Sequence, residues 1–215
     1  MVPYFVASLN TLLRRSPLVP DLSPEPVGWA ERPDRPVLDA WPAVIALSGL
    51  PFAGKSTLAR AVAGAQRRTL LEIDRLIDHA AVPAGEPVPD RAWIAAYREA
   101  DALLRGELAT GHRVVYDGVN FRWVQREKLR RVAGEFGQRV LVVHVTTPIG
   151  DNLGRQRANA ARPTCPAVDA GTFAMVRKRF EPPREREWAV EYDGSEPVGP
   201  WLARVGAALA GQEDG

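Results

Sequence analysis

Eight consecutive residues, Gly49–Ser56 (GLPFAGKS), match the pattern of a loop that wraps phosphate groups. Its glycines let backbone N–H groups approach an anion closely, while Lys55 can reach the β- and γ-phosphates of a nucleotide. The hydroxyl of Ser56 can bind Mg²⁺. The residues expected to contact the nucleotide are Gly49, Pro51, Phe52, Ala53, Gly54, Lys55, Ser56 and Thr57. This pattern predicts a site for ATP and Mg²⁺.

Lysine is rare in this chain, which makes the lysine of the loop informative. Arginine supplies 25 of the 28 basic residues, and the lysines are Lys55, Lys128 and Lys178. A planar guanidinium cannot replace a compact ammonium inside a phosphate loop. The identity of residue 55 therefore supports phosphate binding.

The elements around the loop are those that would position it. The apolar run at 43–48 (AVIALS) is typical of a buried parallel strand, and helical sequence begins at residue 55. Strands are predicted at 43–48, 69–74, 113–117, 139–146 and 188–192, and helices at 55–64, 91–111, 122–134, 150–161, 169–179 and 201–210. This alternation predicts an α/β three-layer sandwich with a five-stranded parallel sheet, whose ligands bind beyond the carboxyl ends of the strands.

The first 42 residues differ in composition from the rest of the chain. They hold eight of its 19 prolines, which predicts an extended, irregular arm. Residues 43–215 are predicted to form one domain. The arm would pack on the surface of that domain, or would bind a partner or cover the substrate.

The overall composition excludes several classes of protein. Hydrophobic residues make up 46% and charged residues 25%, as in a globular protein rather than a disordered one. A net charge of +2 disfavours a duplex-DNA binder, although residues 121–187 hold 14 basic and seven acidic side chains. Cys165 is the single cysteine, so neither an internal disulfide nor a cysteine-based zinc site is expected. With no apolar run long enough to span a bilayer and no basic leader, we expect a cytoplasmic protein.

Five segments of the chain resemble, in the same order, the small P-loop kinases related to the kinase domain of bacteriophage polynucleotide kinase. They are SGLPFAGKSTLARAVA, EID, GHRVVYDGVNFRWVQREKLRRVA, RVLVVHVTTPIGDNLGRQRANAAR and RFEPP. Zeta-toxin, gluconate and chloramphenicol kinases resemble the chain more distantly. The resemblance covers roughly residues 43–190 and implies a P-loop NTPase fold of the kinase type.

The resemblance implies that Asp74 accepts the proton of the attacking hydroxyl. A carboxylate at the carboxyl end of a strand beside the phosphate loop suits that role. The alternatives are a helix cap or an exposed loop aspartate, and Asp78 lies one helical turn later. Polynucleotide kinases carry an arginine three residues after the base, where this chain has Ile77, so a nucleic-acid acceptor is disfavoured.

The resemblance assigns three residues at and beyond the end of the third strand, Asp117, Asn120 and Arg126, to the metal or to the acceptor. Asp117 either assists Mg²⁺ or accepts a hydrogen bond from the substrate. Asn120 and Arg126 match an asparagine and a helical arginine that shape the acceptor pocket. A purely structural role for either remains open.

An arginine-rich helical lid is implied at about 150–180. Arg155, Arg157 and Arg162 lie there, and a closing arginine would neutralise the charge that develops during phosphoryl transfer. Helical spacing puts Arg155 and Arg162 on one face, so they are the favoured catalytic pair. The alternative is a solvated helix.

Together these observations predict transfer of the γ-phosphate of ATP to a hydroxyl of a small molecule, assisted by Mg²⁺. Two alternatives remain open: a polynucleotide 5′-hydroxyl kinase and a non-catalytic ATP-binding regulatory module.

Overall fold

The computed structural model describes residues 41–77, 88–118, 120–162 and 168–210. Most of the predicted arm, together with Asp78 and Cys165, lies outside these ranges. No helix of the described part is long and apolar enough to cross a membrane.

Five parallel strands form one sheet in the order β2-β3-β1-β4-β5. The strands are β1 Val44–Gly49, β2 Thr69–Glu72, β3 Val114–Asp117, β4 Val140–Val145 and β5 Ala189–Tyr192. The helices of the described part are α1 Lys55–Gln66, α2 Asp90–Ala109, α3 Trp123–Gly134, α4 Ile149–Ala161, α5 Ala170–Arg179 and α6 Val198–Ala210. The predicted three-layer α/β sandwich with a five-stranded parallel sheet is confirmed.

The sheet is covered on both faces because its central strand is apolar on both sides. All six residues of β1 are buried. Val44 and Ala46 belong to the core formed with α2 and α3, whereas Ile45 and Leu47 belong to the core formed with α1 and α6. A strand buried on both faces reads as a continuous apolar run, which is the pattern of AVIALS.

The last two residues of the predicted arm pack against the domain. Trp41 and Pro42 are buried, and the ring of Trp41 lies 6.0 Å from that of Trp201 in α6. The Pro42 carbonyl accepts a hydrogen bond of 2.7 Å from Arg68. Trp41 and Pro42 therefore contact the domain, which proline content alone could not indicate.

The second strand is shorter than predicted, and this changes the setting of Asp74. Strand β2 ends at Glu72, and a 3₁₀ turn, Ile73–Leu76, follows. The turn is stabilised by an ion pair of 2.6 Å between Glu72 and Arg75 and by full burial of Ile73. Asp74 thus lies in a turn just beyond the strand rather than within the strand.

Candidate active site

The phosphate loop connects β1 to α1 through a backbone that requires glycine. Gly54 precedes the helix with φ 93°, and Phe52 also has a positive φ of 61°. A Cβ atom at Gly49 would lie 2.7 Å from the carbonyl oxygen of Val145 in β4. Because α1 begins where the loop ends, its free N–H groups and the positive end of its dipole face the loop, and the first turn holds no acidic side chain that would offset this charge.

Lys55, the first residue of α1, lies close to two carboxylates. Its Nζ donates a hydrogen bond of 2.8 Å to the Leu50 carbonyl. Burial lowers the pKa of Lys55, and the negative charges of Asp117 and Asp74 oppose that shift. Three residues predicted from separate segments are therefore brought together at one edge of the sheet.

The side chains of Ser56 and Asp117 lie beside each other. The Asp117 carboxylate is only 8% exposed, and a hydrogen bond from the Ser56 hydroxyl is among the effects that lower its pKa. Burial raises the pKa of Asp117, against the opposing effects of Ser56 and Lys55. Both side chains supply oxygen atoms, the ligands that Mg²⁺ prefers.

The donor set fits a magnesium ion bound together with substrate phosphates. Within the described ranges no cluster of three or more His, Cys, Asp or Glu side chains is arranged to hold a metal. Mg²⁺ commonly uses one or two protein carboxylates and completes its shell with phosphate oxygens and water. Ser56 and Asp117 match that requirement.

Asp74 is exposed beside this pair, and a second acidic residue that the sequence interpretation did not assign lies next to it. Glu72 pairs with Asp117 across β2 and β3, and its side chain is 8% exposed. Its carboxylate contacts Arg60 at 2.5 Å and Arg75 at 2.6 Å. The available signal was a glutamate directly after Leu70 and Leu71 of the strand, two residues before Asp74.

Asn120 and Arg126 lie in the interior. Asn120 is 2% exposed, and its side-chain amide donates to the Leu47 carbonyl at 2.8 Å. Arg126 is fully buried and donates 2.7 and 2.9 Å hydrogen bonds to Glu187. The described contacts of Arg126 are thus with protein groups, and the sequence interpretation did not identify Glu187 as its partner.

One of the three arginines of α4 and its C-terminus touches the phosphate loop. The Nη1 atom of Arg155 donates to the Phe52 carbonyl at 3.2 Å and lies over Gly54. Thr147, just before α4, donates a 2.7 Å hydrogen bond to the Ala53 carbonyl from the same side. Arg157 and Arg162 are exposed.

The remaining residues predicted to contact the nucleotide differ in their burial. Pro51 is half-buried, Ala53 is buried in the core against α1, and Thr57 is exposed in the first turn of the helix.

Residues 44–183 match the model of a protein family described as an AAA domain. The chain belongs to this family. The matched residues run from the start of β1 past the end of α5, so the match includes the phosphate loop, Asp74, Asp117 and Arg155.

Individual relatives agree with this assignment. The shikimate kinase of Corynebacterium glutamicum is 32% identical over 126 residues, which are 59% of this chain and 71% of that enzyme. A sugar kinase from Janibacter sp. has a similar structure, with a TM-score of 0.56 and 17% identity over 75% of this chain and 91% of that one. For a gluconokinase from Sinorhizobium meliloti the TM-score is 0.53 at 21% identity, over 78% and 91% of the two chains. The AAA domain protein therefore has the fold of P-loop kinases, which confirms the resemblance.

Proposed function

We propose that this protein is a Mg²⁺-assisted kinase that transfers the γ-phosphate of ATP to a hydroxyl group of a small molecule. The observation that carries the proposal is the convergence of Lys55, the bonded pair Ser56–Asp117 and Asp74 at one edge of the sheet. A cation, a metal-binding oxygen pair and an exposed carboxylate are the parts that phosphoryl transfer requires.

The nucleotide would be held by the loop and by Lys55. Backbone N–H groups and the α1 dipole bind the phosphates, and the Lys55 ammonium neutralises charge on the β- and γ-phosphates. Mg²⁺ held by Ser56 and Asp117 would screen the phosphate charge during transfer. Because Asp117 is bonded to Ser56, we assign it to the metal rather than to the acceptor.

Asp74 would act as the general base. It is exposed, so an acceptor can reach it, and it lies close enough to Lys55 to influence the pKa of that lysine. The acceptor oxygen bonds to the γ-phosphorus, the bond to the leaving ADP oxygen breaks, and the hydroxyl proton moves to Asp74.

The α4–α5 region would serve as the lid. Arg155 already bonds to the phosphate loop, so it is our first choice for stabilising the transferring phosphoryl group. Arg162 is the second choice; it is the C-cap residue of α4 and has an extended backbone, so the helical spacing predicted from the sequence does not extend to it.

A small acceptor is supported by two independent observations. Ile77, which occupies the position of the arginine in polynucleotide kinases, is 4% exposed, so its side chain packs in the core beneath the acceptor side. The named relatives are a shikimate kinase, a sugar kinase and a gluconokinase. We therefore place the acceptor among small hydroxyl-bearing metabolites.

The decisive experiment measures ATP consumption with a panel of sugars, hydroxy acids, nucleosides and a 5′-hydroxyl oligonucleotide, and confirms the product by mass. With the best acceptor, Asp74→Asn should lower the rate about 10²- to 10⁴-fold, the range of general-base catalysis. Asp193→Asn is the matched control, because Asp193 is an exposed aspartate just after the carboxyl end of β5. Full activity in Asp74→Asn would contradict the base assignment, and phosphorylation of the oligonucleotide alone would contradict a small acceptor.

A further inference from the structure

An ion pair whose two side chains are fully buried lies beside Asn120. Arg126 in α3 and Glu187 before β5 both have 0% side-chain exposure, and no other ion pair between described residues is buried on both sides. Two hydrogen bonds, 2.7 Å from Nε and 2.9 Å from Nη2 of Arg126, join the pair. Glu187 also accepts the backbone N–H of Arg184 at 2.9 Å.

A buried ion pair of this kind contributes little to the stability of the fold. Removing two charges from water offsets most of their attraction, and apolar side chains of similar volume often serve as well or better. Its geometry, in contrast, fixes the direction of every donor on the guanidinium. The remaining nitrogen, Nη1 of Arg126, donates to the Asn120 carbonyl at 3.0 Å.

Asn120 connects the ends of two strands. Its carbonyl also accepts the Ser48 hydroxyl at 2.8 Å, and its side-chain amide donates to the Leu47 carbonyl at 2.8 Å. Leu47 and Ser48 immediately precede the phosphate loop, and Asn120 follows Asp117 by three residues. The distance between Asp117 and the loop is therefore set partly through Asn120.

We propose that Glu187 and Arg126 are positioning residues for the metal site: the buried pair holds Asn120 against β1 and so keeps Asp117 within bonding distance of Ser56. The inference rests on the proposed function only in its assignment of Mg²⁺ to Ser56 and Asp117. Neither Glu187 nor Arg126 touches nucleotide or acceptor in this scheme.

The test compares the affinity for ADP, by calorimetry, without Mg²⁺ and with saturating Mg²⁺. In the wild-type protein Mg²⁺ should strengthen ADP binding. In Glu187→Gln this gain should fall about 10- to 100-fold, the usual effect of losing a partner that orients a metal ligand, while Mg²⁺-free ADP affinity stays close to wild type. A merely structural role would lower the thermal midpoint without changing the Mg²⁺-dependent gain.

Glu135→Gln is the matched control. Glu135 also binds an arginine through two hydrogen bonds, both 2.8 Å, but its pair with Arg105 is exposed by 46% and 40% and lies away from the loop. This variant should keep the full Mg²⁺-dependent gain.

A second variant covers the possibility that Glu187→Gln does not fold. Arg126→Lys keeps the buried positive charge beside Glu187 but cannot reproduce the forked hydrogen bonds that hold Asn120. It should show the same loss, measured well below its thermal midpoint.

The outcomes separate this inference from the proposed function. A full Mg²⁺-dependent gain in either folded variant would overturn the positioning role alone. Absence of the gain in the wild-type protein would overturn the metal assignment and the positioning role together. Turnover of ATP by the wild-type protein tests the kinase proposal independently.

Discussion

The ammonium group of Lys55 is buried, which disfavours its charged form. Burial lowers its pKa, and the carboxylates of Asp117 and Asp74 supply the compensating field before any phosphate arrives. A bound polyphosphate adds more negative charge at the same point, so the ammonium form becomes more favourable when the nucleotide binds.

Replacement of Lys55 should therefore weaken nucleotide binding. We expect Lys55→Ala to lower ADP affinity about 10- to 100-fold, the value of one charge-assisted hydrogen bond, in a calorimetric titration. Lys55→Arg should not restore the ADP affinity, because the planar guanidinium does not fit the loop. Lys178→Ala, at an exposed lysine of α5, is the control. If Lys55→Ala and Lys55→Arg bound ADP as tightly as Lys178→Ala does, the phosphate-loop assignment would be wrong.

Asp117 should limit the stability of the nucleotide-free protein. Burial raises its pKa above the ordinary value of 3.8, so the folded state prefers the protonated carboxyl. The stability that it contributes is complete below the unfolded pKa and is lost as the pH rises through the folded pKa. At neutral pH the ionised group therefore destabilises the fold.

We expect Asp117→Asn to raise the thermal midpoint near pH 7 by a few degrees while abolishing the Mg²⁺-dependent gain in ADP affinity. The amide oxygen can still accept the Ser56 hydroxyl. The difference in midpoint should disappear toward about pH 3, where wild-type Asp117 is protonated in both states. A stabilising effect that did not vary with pH would contradict this origin.

At the scale of elements, the phosphate loop depends on close contact between β1 and β4. A side chain at Gly49 would collide with the Val145 main chain, which cannot move without disturbing the sheet. Gly49→Ala should therefore lower stability and remove ADP binding, as followed by thermal unfolding with and without ADP. Gly106→Ala is the control, because this helical glycine of α2 has open space around it; it should stabilise by about 0.5–1 kcal/mol.

Helix α4 reaches the loop through one arginine, which gives a direct test of the lid. Arg155→Gln should lower the turnover rate about 100-fold or more, as loss of a donor to the transferring phosphoryl group does in other enzymes. Arg157→Gln, an exposed arginine on the same helix, should leave the rate unchanged. Equal effects of the two substitutions would show that α4 acts only through its general charge.

The order of the elements could be predicted from sequence, because apolar strands and amphipathic helices alternate with clear periods. The turn that carries Asp74 could not be predicted, because it depends on the ion pair between Glu72 of β2 and Arg75. Lys55, Ser56 and Asp117 were predictable because each follows or ends a strand in a motif. The partnership of Arg126 with Glu187 was not, because 61 residues separate them and no local pattern links them.

For the whole molecule, Trp41, which lies three residues before β1, takes part in the core. Trp41 packs against Trp201 and against Gly206 of α6, and it is 7% exposed. Trp41→Ala should lower the free energy of unfolding by about 3–5 kcal/mol in urea denaturation, as expected for a buried aromatic ring. Leu103→Ala, at a side chain that is 39% exposed, should change the free energy of unfolding little. If both variants lost the same free energy of unfolding, Trp41 would lie outside the cooperatively folding unit.

The central position of β1 also has a consequence for how the protein folds. Val44 pairs with Val114 on one side and with Val140 on the other, so both neighbours of this strand come from much later in the chain. Such distant pairings form slowly, because long segments must be closed before the pairings bring any gain. We therefore expect the loop that follows β1 to be one of the last features to reach its final form, and ADP added during refolding should bind only after β4 has joined the sheet.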